Sequence, residues 1–431
     1  RDRRGVGHRG QRSRRPGRRE RQRAGSRRMK LAVFRQEEFF EDYEFSCELM
    51  LALSGAEPMT AAELTEIVGE PPAPDWEVGY TPSSGYPELR DAIAALNPPA
   101  ARENVMVTVG AIEALLILHN LLLEPGDEVV CLWPAYQPLY ELARGAGASV
   151  RFVELEHTDG FAIDLGAIED AVGPRTKVVL LNVPHNPTGQ TVAPDDLREL
   201  ARRLAPLGVH LVVDEVFREM RSHHPPSAWD GQDNLVVIGS MSKSYALPGL
   251  RIGWLVANPE LVVKARQFRK YTSLNPGSRD QQWALAALEH RDAVLARTWA
   301  LTEDGAALAT SWLDEHRDDF ELTAPPAGGL FFPRLRHDVP TLDFCAELVH
   351  DTGVLLAPGS VCYESEGFLR LGVATPQLAA GLERLDAWLD DRRGRTAELA
   401  GGASTADRAG AAAAAATRPA DLASRNGSRP L

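Results

Sequence analysis

The sequence predicts an α/β fold, in which a mostly parallel sheet is covered by helices on both faces and is followed by a smaller α+β domain. Between residues 80 and 280, short apolar runs alternate with amphipathic stretches, which is typical of parallel strands joined by helices. From about Asp280 onward the chain becomes mainly helical, with a few late strands. Several polar residues directly follow predicted strands, at the sheet edge where this architecture binds ligands.

The apolar runs and the turns between them place the individual elements. They predict strands over residues 105–109, 128–133, 149–153, 177–182, 209–213 and 235–240. Residues 111–123 are too densely apolar for a surface helix and predict a buried one, and residues 194–204 predict a helix between two strands. Late strands are predicted over residues 329–335 and 367–372.

Both ends of the chain have compositions that predict no packed fold. Residues 1–28 contain thirteen arginines, two acidic residues and no Phe, Trp or Tyr, although the whole chain has a net charge of −13. Arginine-rich segments occur in nucleic-acid-binding tails and in transit peptides. The near absence of apolar and aromatic residues instead favours a disordered extension ahead of a translation start at Met29. The segment 396–431, rich in Ala, Ser, Gly and Arg, predicts a disordered tail.

Between the two ends, the sequence predicts an N-terminal arm (29–79) that joins the small domain, a large domain (80–279) and a small domain (280–395). No apolar run is long enough to span a membrane. The cysteines are scattered and lack metal-ligand spacing, which predicts reduced thiols in a cytoplasmic protein and no metal site. They are Cys47, Cys131, Cys345 and Cys362.

A lysine follows the predicted strand 235–240, in the segment Ser240-Met-Ser-Lys243. A buried ammonium group is costly unless it is paired or deprotonated, and a lysine that forms a Schiff base avoids this cost because its amine becomes an imine. Arg251 follows eight residues later, and an arginine with Ser240 and Ser242 beside one lysine suits a phosphate group. A surface lysine beside a packing loop explains the same residues, so the motif alone leaves both interpretations open.

Two further strand ends carry polar groups suited to a flat, ionisable cofactor. Asn186 lies in Asn-Val-Pro-His-Asn-Pro-Thr-Gly after the strand 177–182, and Asp214 follows the strand 209–213. Asn186 can donate a hydrogen bond to a ring oxygen, although an ordinary turn uses Asn, Pro and Gly in the same way. Asp214 can keep a pyridine nitrogen protonated, although an acidic residue after a strand is also a common N-cap.

Two weaker patterns lie nearer the start of the predicted sheet. The strand–Gly–helix junction at Gly110, Ala111 and Ile112 places backbone N–H groups at a helix start, where they can hold a phosphate. Glycine turns before helices are common, so this pattern alone is weak. Tyr136 follows the strand 128–133, where its ring can cover a flat cofactor or simply belong to the core.

Together, the order and spacing of these residues resemble those of fold-type I pyridoxal-5′-phosphate (PLP) enzymes, in the class I and II aminotransferase family. The resemblance covers about residues 80–375 and is carried by His-Asn186-Pro-Thr-Gly in combination with Ser-Met-Ser-Lys243 and Gly-Leu-Arg251-Ile-Gly-Trp. It implies an aspartate-aminotransferase-like large domain, pyridoxal 5′-phosphate as the cofactor, and an amino acid as the substrate.

The resemblance also implies a role for each matching residue. Lys243 matches the lysine that carries the cofactor and moves the substrate proton, and Asp214 matches the partner of the ring nitrogen. Asn186 matches a residue that faces the substrate and donates to the phenolic oxygen of the cofactor, and Tyr136 matches the ring stacked on it. Arg370, in Phe-Leu-Arg-Leu-Gly, matches the arginine that holds the substrate α-carboxylate.

The remaining matches describe a phosphate site and a dimer. The phosphate-binding groups correspond to Ser240, Ser242, Arg251 and the turn at Gly110, Ala111 and Ile112. Tyr80, in Gly-Tyr-Thr-Pro, matches a tyrosine that reaches the phosphate of the neighbouring subunit. A homodimer is therefore implied.

Phe217 departs from the family pattern. The motif after the aspartate usually ends in Tyr, whose hydroxyl bonds the phenolic oxygen of the cofactor, whereas this chain has Asp214-Glu-Val-Phe217. Loss of that donor predicts a cofactor that holds its proton more tightly, unless a nearby hydroxyl or water replaces the donor.

Two reaction types are compatible with these motifs. The family as a whole favours transamination between an amino acid and a 2-oxo acid. The start at Met29, the segment at Thr60 and Leu356-Ala-Pro-Gly-Ser360 are similar to a subgroup that includes capreomycidine synthases, which eliminate water from a hydroxylated arginine and cyclise the product. The alternative is therefore an elimination, replacement or cyclisation enzyme.

The sequence gives little information on partners beyond the substrate. A PLP-sensing regulator is disfavoured because residues 1–28 are too short and patternless for a DNA-binding domain, and neither a nucleic acid nor a membrane is predicted as a partner. The acidic residues between positions 37 and 44 predict either a solvated helix face or a contact with a cationic substrate side chain.

Overall fold

The computed structural model describes residues 29–69, 79–323, 326 and 328–402 of the 431-residue chain. The Arg-rich segment 1–28 and most of the predicted tail lie outside these residues. What the sequence predicts for those segments, and the domain boundaries, therefore stay predictions.

A seven-stranded, mostly parallel sheet forms the centre of the protein. The strands of the described residues are β1 (Leu49–Met50), β2 (Val105–Val109), β3 (Glu128–Trp133), β4 (Ser149–Glu154), β5 (Thr176–Asn182), β6 (His210–Asp214), β7 (Leu235–Ser240), β8 (Ile252–Val256), β9 (Phe320–Glu321), β10 (Leu330–Phe331), β11 (Arg334–Leu335), β12 (Val354–Leu355), β13 (Ala357–Pro358) and β14 (Leu369–Gly372). The central sheet has the order β2-β8-β7-β6-β5-β3-β4. Its pairs are parallel except that β8 runs antiparallel to both β2 and β7. The predicted α/β fold class is confirmed.

Helices cover the sheet and form much of the C-terminal region. They are α1 (Arg35–Tyr43), α2 (Ala61–Val68), α3 (Pro87–Ala95), α4 (Gly110–Leu122), α5 (Gln137–Gly145), α6 (Leu165–Asp170), α7 (Pro194–Leu204), α8 (Pro259–Arg269), α9 (Ser278–Glu289), α10 (Arg291–Glu315), α11 (Thr341–Thr352), α12 (Gly359–Tyr363) and α13 (Leu378–Gly402). Within the described ranges, no helix is both long and apolar enough to cross a membrane.

Side chains alternate along the strands between two apolar cores, one on each face of the sheet. In β5, Val179 and Leu181 belong to one core, whereas Val178 and Leu180 belong to the other. Successive side chains of a strand point to opposite faces. Because helices cover both faces, both sets of side chains must be apolar. This explains why the strands are continuous apolar runs in the sequence.

Two elements differ from the sequence prediction. The strand β8 was not predicted, although all its residues are buried. The single strand predicted over residues 329–335 is wrong, because two short strands occupy it: β10 pairs with β14, and β11 pairs with β9. Pro333 lies between them and has no N–H to continue a ladder.

After Asp280 the chain changes to helices and short strands, as predicted. The strands β10, β14 and β13 form a separate sheet in that order. The N-terminal β1 pairs in parallel with β12, with Leu49 opposite Val354, so the start of the described chain packs against its C-terminal part. The last helix, α13, continues beyond residue 395.

The carboxyl ends of β5, β6 and β7 meet at one edge of the sheet. Asn182, the last residue of β5, lies opposite Asp214, the last residue of β6. Lys243 follows three residues after Ser240, which ends β7. Neighbouring parallel strands therefore bring these side chains to one place, the edge at which such sheets bind ligands.

Candidate active site

A cavity of about 570 Å³ lies at this edge of the sheet. Residues of α1 and of the segment 50–58 contribute to its wall. The residues predicted for the site that line it are Lys243, Asp214, Asn186, Tyr136, Ala111, Ile112, Ser240, Ser242, Arg251 and Arg370. Gly110 borders the cavity without lining it, and Tyr80 lies elsewhere.

Lys243 lies beside a hydroxyl and an aromatic ring. Its Nζ donates to Ser54 Oγ at 2.6 Å and lies 6.0 Å from the centroid of the Phe217 ring. Burial lowers the pKa of Lys243 to about 8, and the cations Arg370 and Arg251 act in the same direction. The amine is therefore neutral in a large fraction of molecules near pH 8, the form that can attack a carbonyl carbon.

Asp214 is a buried carboxylate at the end of β6, with only 5% of its surface exposed. Its Oδ1 accepts a hydrogen bond from the backbone N–H of Val216 at 3.1 Å. Burial raises the pKa of Asp214 to about 7, against the opposing effects of the Val216 N–H and the Lys243 charge. A carboxylate held in this way is stabilised strongly by any cation that enters the cavity.

Asn186 and Arg370 are joined through Tyr363. The backbone N–H of Asn186 donates to Asn182 Oδ1 at 2.8 Å, and the Tyr363 hydroxyl donates to Asn186 Oδ1 at 2.7 Å. Arg370, which is 1% exposed, donates from Nη1 to the Tyr363 hydroxyl and from Nη2 to the carbonyl oxygen of Ala52. Its Nε has no hydrogen-bond partner among the described residues.

One end of the cavity is rich in groups that bind anions. Ser240, Ser242 and Arg251 lie there together with the first turn of α4. A side chain at Gly110 would place its Cβ 2.4 Å from Arg251 Nη2, and the φ of Gly110 is +70°, so glycine is needed at this junction. A guanidinium, two hydroxyls and the N–H groups of a helix start suit a phosphate.

Tyr136 forms part of the cavity wall. Its ring meets that of Phe34 edge to face, with 5.6 Å between the centroids. Burial raises the pKa of the Tyr136 hydroxyl well above its ordinary value, so the side chain stays neutral.

For the acidic residues around α1, the sequence predicts either a solvated helix face or a contact with a cationic substrate. Each interpretation fits some of these residues. Glu37 and Glu44 line the cavity, whereas Glu38, Glu41 and Asp42 are exposed and do not. Burial and the neighbouring Glu37 raise the pKa of Glu44. All five acidic side chains are therefore exposed to solvent, and two of them, Glu37 and Glu44, also contribute carboxylates to the cavity wall.

Tyr80 lies outside the cavity of its own chain. Its side chain is 89% exposed and follows the gap at residues 70–78 in the described chain. A contact with a neighbouring subunit, as the sequence predicts for this residue, stays a prediction.

Sequence reasoning missed Ser54 and Tyr363. Ser54 precedes Gly55, where a Cβ would lie 2.8 Å from the Cα of Lys243. The Ser-Gly pair after an apolar run is the only sequence feature that could have indicated this close approach. Tyr363 ends the short helix α12 and carries no sequence pattern of its own, because its contact with Asn186 depends on how α12 packs.

The groups of this cavity fit pyridoxal phosphate. An amine with a lowered pKa suits its aldehyde, a buried carboxylate suits its ring nitrogen, and the anion-binding end suits its phosphate. Tyr363 engages the side-chain oxygen of Asn186, so the amide nitrogen is left to donate to an oxygen of the ligand.

Comparison with known proteins gives a family and several relatives. The family model for aminotransferases of class I and II matches residues 77–385. A capreomycidine synthase of Streptomyces vinaceus is 34% identical over 298 residues, which are 69% of this chain and 76% of the relative. A probable N-acetyl-LL-diaminopimelate aminotransferase of Bacillus subtilis is 32% identical over 337 residues, 73% of this chain and 82% of the relative.

Two solved structures are similar over nearly their whole length. A PLP-dependent aminotransferase from Streptococcus suis has a TM-score of 0.79 and 32% identity, over 84% of this chain and 99% of the relative. The PLP-dependent cyclase OrfR has a TM-score of 0.77 and 30% identity, over 84% of this chain and 98% of the relative. This chain therefore belongs to the class I and II aminotransferase family, and it is an enzyme that uses pyridoxal 5′-phosphate.

Proposed function

We propose that this enzyme acts on an amino acid with a positively charged side chain, and that it expels a leaving group from the substrate and closes a ring. The observation that carries the proposal is the presence of Glu37 and Glu44 in the wall of the cavity. The structure of the OrfR cyclase and the sequence of the capreomycidine synthase are among its relatives. These two relatives support ring closure, whereas the other two relatives named above are aminotransferases.

The charges around the cavity suit a cationic substrate side chain. The negative charge of Glu37 acts to raise the pKa of Lys243 and the pKa of Tyr136. Glu37 is therefore close enough to interact electrostatically with both residues. Among the described residues, Arg251 and Arg370 are the only arginines that line the cavity. The first is assigned to the phosphate and the second to the α-carboxylate, so a second substrate carboxylate has no arginine in this chain's part of the site.

We assign the following roles to the chain's own residues. Arg370 holds the α-carboxylate of the substrate and fixes the direction of its Cα–H bond. Lys243 would hold the cofactor covalently and, as a neutral amine, would take the Cα proton of the substrate. PLP, when bound, withdraws electrons from Cα.

The remaining residues hold the cofactor and exclude water. Asp214 would pair with the ring nitrogen, Asn186 would donate to the phenolic oxygen, and Tyr136 would cover the ring. The phosphate would be held by Ser240, Ser242, Arg251 and the turn at Gly110, Ala111 and Ile112. After proton transfer Lys243 is an ammonium group, which can give the proton to a departing hydroxide so that it leaves as water. The ring closes when a nitrogen of the substrate side chain adds to the carbon that lost the hydroxide, and the proton released by this nitrogen replaces the one lost from Cα.

Transamination of the same amino acid is the second candidate. It is favoured by the relatives that are aminotransferases, which cover most of their own length. Both reactions use Lys243 and Arg370 in the same way up to loss of the Cα proton. They differ in whether a 2-oxo acid is consumed.

A substrate panel separates the two candidates. Purified enzyme with PLP is mixed with arginine, lysine, their hydroxylated and chlorinated derivatives, neutral amino acids, and aspartate and glutamate. Each is tested with and without a 2-oxo acid, and products are followed by mass spectrometry. We expect turnover of a cationic derivative without the oxo acid, with loss of water or halide. Turnover that requires the oxo acid supports transamination, and turnover restricted to aspartate and glutamate overturns the cationic substrate.

We also propose a homodimer, in the cytoplasm, with the domain boundaries predicted from the sequence. Tyr80 and Tyr271 are 89% and 92% exposed, and large exposed aromatic side chains are typical of surfaces covered by a partner. Tyr80 is assigned to the phosphate of the neighbouring subunit's cofactor.

A further inference from the structure

A chain of hydrogen bonds runs from Arg370 through Tyr363 to Asn186. Arg370 donates to the Tyr363 hydroxyl, and that hydroxyl donates to Asn186 Oδ1 at 2.7 Å. A guanidinium group can only donate, and a hydroxyl has one proton. The positive charge of Arg370 therefore forces the Tyr363 proton towards Asn186, so the direction of both bonds is fixed.

This direction determines how the side-chain amide of Asn186 is turned. An amide presents oxygen on one side and nitrogen on the other, and a half-turn about its last bond exchanges them. Because the Tyr363 proton must meet an acceptor, Asn186 presents its oxygen to Tyr363. The Nδ2 protons are then left for the cavity that Asn186 lines.

Packing fixes the position of the Tyr363 side chain, as orienting the Asn186 amide requires. The side chain is fully buried, and its ring lies 5.6 Å from that of Phe332, edge to face. Tyr363 is the last residue of α12. The next residue, Glu364, forms a half-exposed ion pair with Arg35 at the start of α1. Packing of the buried Tyr363 ring therefore holds the end of α12, and the ion pair adds little.

We propose that Tyr363 is a positioning residue that turns the amide of Asn186 so that its NH₂ group donates to the phenolic oxygen of PLP. Because Phe217 lacks the hydroxyl that the family pattern has at that position, the phenolic oxygen depends more strongly on the Asn186 donor that Tyr363 orients. The proposal rests on the assignment of PLP to Lys243 and of its phenolic oxygen to Asn186.

The test is a pH titration of the absorbance of the PLP-bound protein. In Tyr363→Phe the ring is kept and only the hydroxyl is lost, so Asn186 is free to turn its oxygen to the cofactor. A lost donor destabilises the deprotonated cofactor, and we expect its proton affinity to rise roughly tenfold. An unchanged titration curve overturns the proposal.

Matched variants separate this role from a general loss of packing. Tyr140 is equally buried, and its hydroxyl lies 3.4 Å from Glu364, the neighbour of Tyr363. We expect Tyr140→Phe to leave the titration unchanged, and an equal shift in that variant overturns the proposal. Introducing a hydroxyl with Phe217→Tyr should reverse the shift in the Tyr363→Phe protein.

Two further measurements make the test independent of the folding of one variant. Asn186→Asp removes the only N–H donor of that side chain, so we expect it to raise the proton affinity of the cofactor by itself. No change in Asn186→Asp overturns the proposal even if Tyr363→Phe does not fold. In an Asn186→Ala background, Tyr363→Phe should add no further shift. If the unmodified protein shows no borohydride-reducible link at Lys243, the assumed cofactor attachment has failed, which is a different result.

Discussion

The ammonium group of Lys243 donates to the hydroxyl of Ser54 at 2.6 Å, although the two residues are 189 positions apart. The backbone N–H of Ala56 also donates to the carbonyl oxygen of Lys243 at 3.3 Å. The segment 50–58 therefore packs directly against the backbone of Lys243, the residue proposed to carry the cofactor. The preceding helix α1 places Glu37 in the cavity wall, so the N-terminal residues contact both Lys243 and the proposed substrate space.

This contact predicts a pH dependence for cofactor attachment. Burial lowers the pKa of Lys243 to about 8, and only the neutral amine attacks the cofactor. The rate of attachment to cofactor-free protein should rise about tenfold per pH unit below pH 8 and level off above it. Ser54→Ala removes an acceptor that stabilises the ammonium form, so the midpoint should move to lower pH.

Stopped-flow absorbance after mixing with PLP measures this rate. Lys243→Ala serves as the control and should form no borohydride-reducible link at any pH. A midpoint near that of an ordinary lysine, at about pH 10, would show that the burial of Lys243 does not affect its chemistry.

The buried carboxylate of Asp214 predicts a stability effect in the cofactor-free protein. The pKa of Asp214 is raised by burial to about 7, from an ordinary value of 3.8. Between these pH values the unfolded chain is ionised while the folded chain holds a proton, so the free energy of unfolding falls as pH rises. Asp214→Asn removes this penalty and should stabilise the cofactor-free protein by roughly 2–4 kcal/mol at pH 8.

Thermal unfolding at pH 8 and at pH 5 tests whether Asp214→Asn stabilises the cofactor-free protein and how this effect depends on pH. The gain in the free energy of unfolding from Asp214→Asn should become smaller as pH falls, because the Asp214 carboxyl of the wild type then takes up its proton. The exposed Asp304 provides a matched control, since Asp304→Asn should change little at either pH. A variant that is less stable than wild type at pH 8 contradicts the prediction. The same variant should bind PLP weakly, because it lacks the charge proposed to pair with the ring nitrogen.

The fold was largely predictable because its strands are buried on both faces. Runs such as Glu128–Trp133 and Leu235–Ser240 match the structure, since helices on both sides require apolar residues at every position. The strand Ile252–Val256 was missed for a specific reason. Its first residues belong to a motif that was interpreted as a phosphate-binding segment, and Gly253 lowers its strand propensity. In the structure Gly253 allows β8 to approach Ala111, where a Cβ would lie 2.5 Å from its backbone nitrogen.

The site was predictable where residues follow strands and not where tertiary packing brings them in. Asp214 ends β6 and Lys243 lies three residues after the end of β7, so the parallel pairing of these neighbouring strands brings them together. Ser54 lines the cavity from the N-terminal segment, whereas Tyr363, on a short C-terminal helix, does not line it and acts on it only through its bond to Asn186. Their placement depends on long-range packing that no local pattern encodes.

Substrate selection should depend on the two carboxylates in the cavity wall. Glu37→Gln and Glu44→Gln each remove a negative charge facing the proposed cationic side chain. Because both side chains are exposed to solvent, we expect KM for the cationic substrate to rise roughly threefold to tenfold. The KM for a neutral amino acid should stay the same.

The control for this prediction lies on the same helix. Glu38→Gln changes the net charge equally, but Glu38 does not line the cavity, so it should leave both KM values unchanged. High salt should reduce the difference between wild type and Glu37→Gln, because exposed charges are screened. Equal effects of Glu38→Gln and Glu37→Gln would show that only the overall charge matters.

A buried ion pair behind the phosphate end predicts a large stability effect. Glu113 of α4 accepts from Arg269 at 2.6 Å, and Arg269, which is fully buried, also donates to the carbonyl oxygen of Ser83 at 2.8 Å. Glu113→Gln leaves a buried guanidinium without its counter-charge and should lower the free energy of unfolding by about 3–5 kcal/mol. Denaturant unfolding measures this value. Arg203 and Glu169 form a half-exposed ion pair. Glu169→Gln should therefore change the free energy of unfolding by less than about 1 kcal/mol.

The exposed Tyr80 predicts that each active site is completed by a second subunit. Light scattering should give the mass of a dimer, and a monomer would remove the role proposed for Tyr80. In a dimer, Tyr80→Phe should weaken PLP binding roughly tenfold, the effect of one lost hydrogen bond to a charged group. Leu207, an exposed side chain that does not line the cavity, offers the comparison, and Leu207→Ala should have no effect on PLP binding.

Mixed subunits give the sharper test. A Lys243→Ala homodimer should not bind PLP covalently, and a Tyr80→Phe homodimer should not bind PLP tightly. In a mixed dimer, one site combines Lys243 from the Tyr80→Phe subunit with Tyr80 from the Lys243→Ala subunit, so that site is intact. After unfolding and refolding the two variants together, we expect up to half of the dimers to be mixed, and tight, reducible PLP to return in one site of each. If the two variants refolded together bind no more tight, reducible PLP than the two variants refolded separately, Tyr80 acts within its own subunit or not at all.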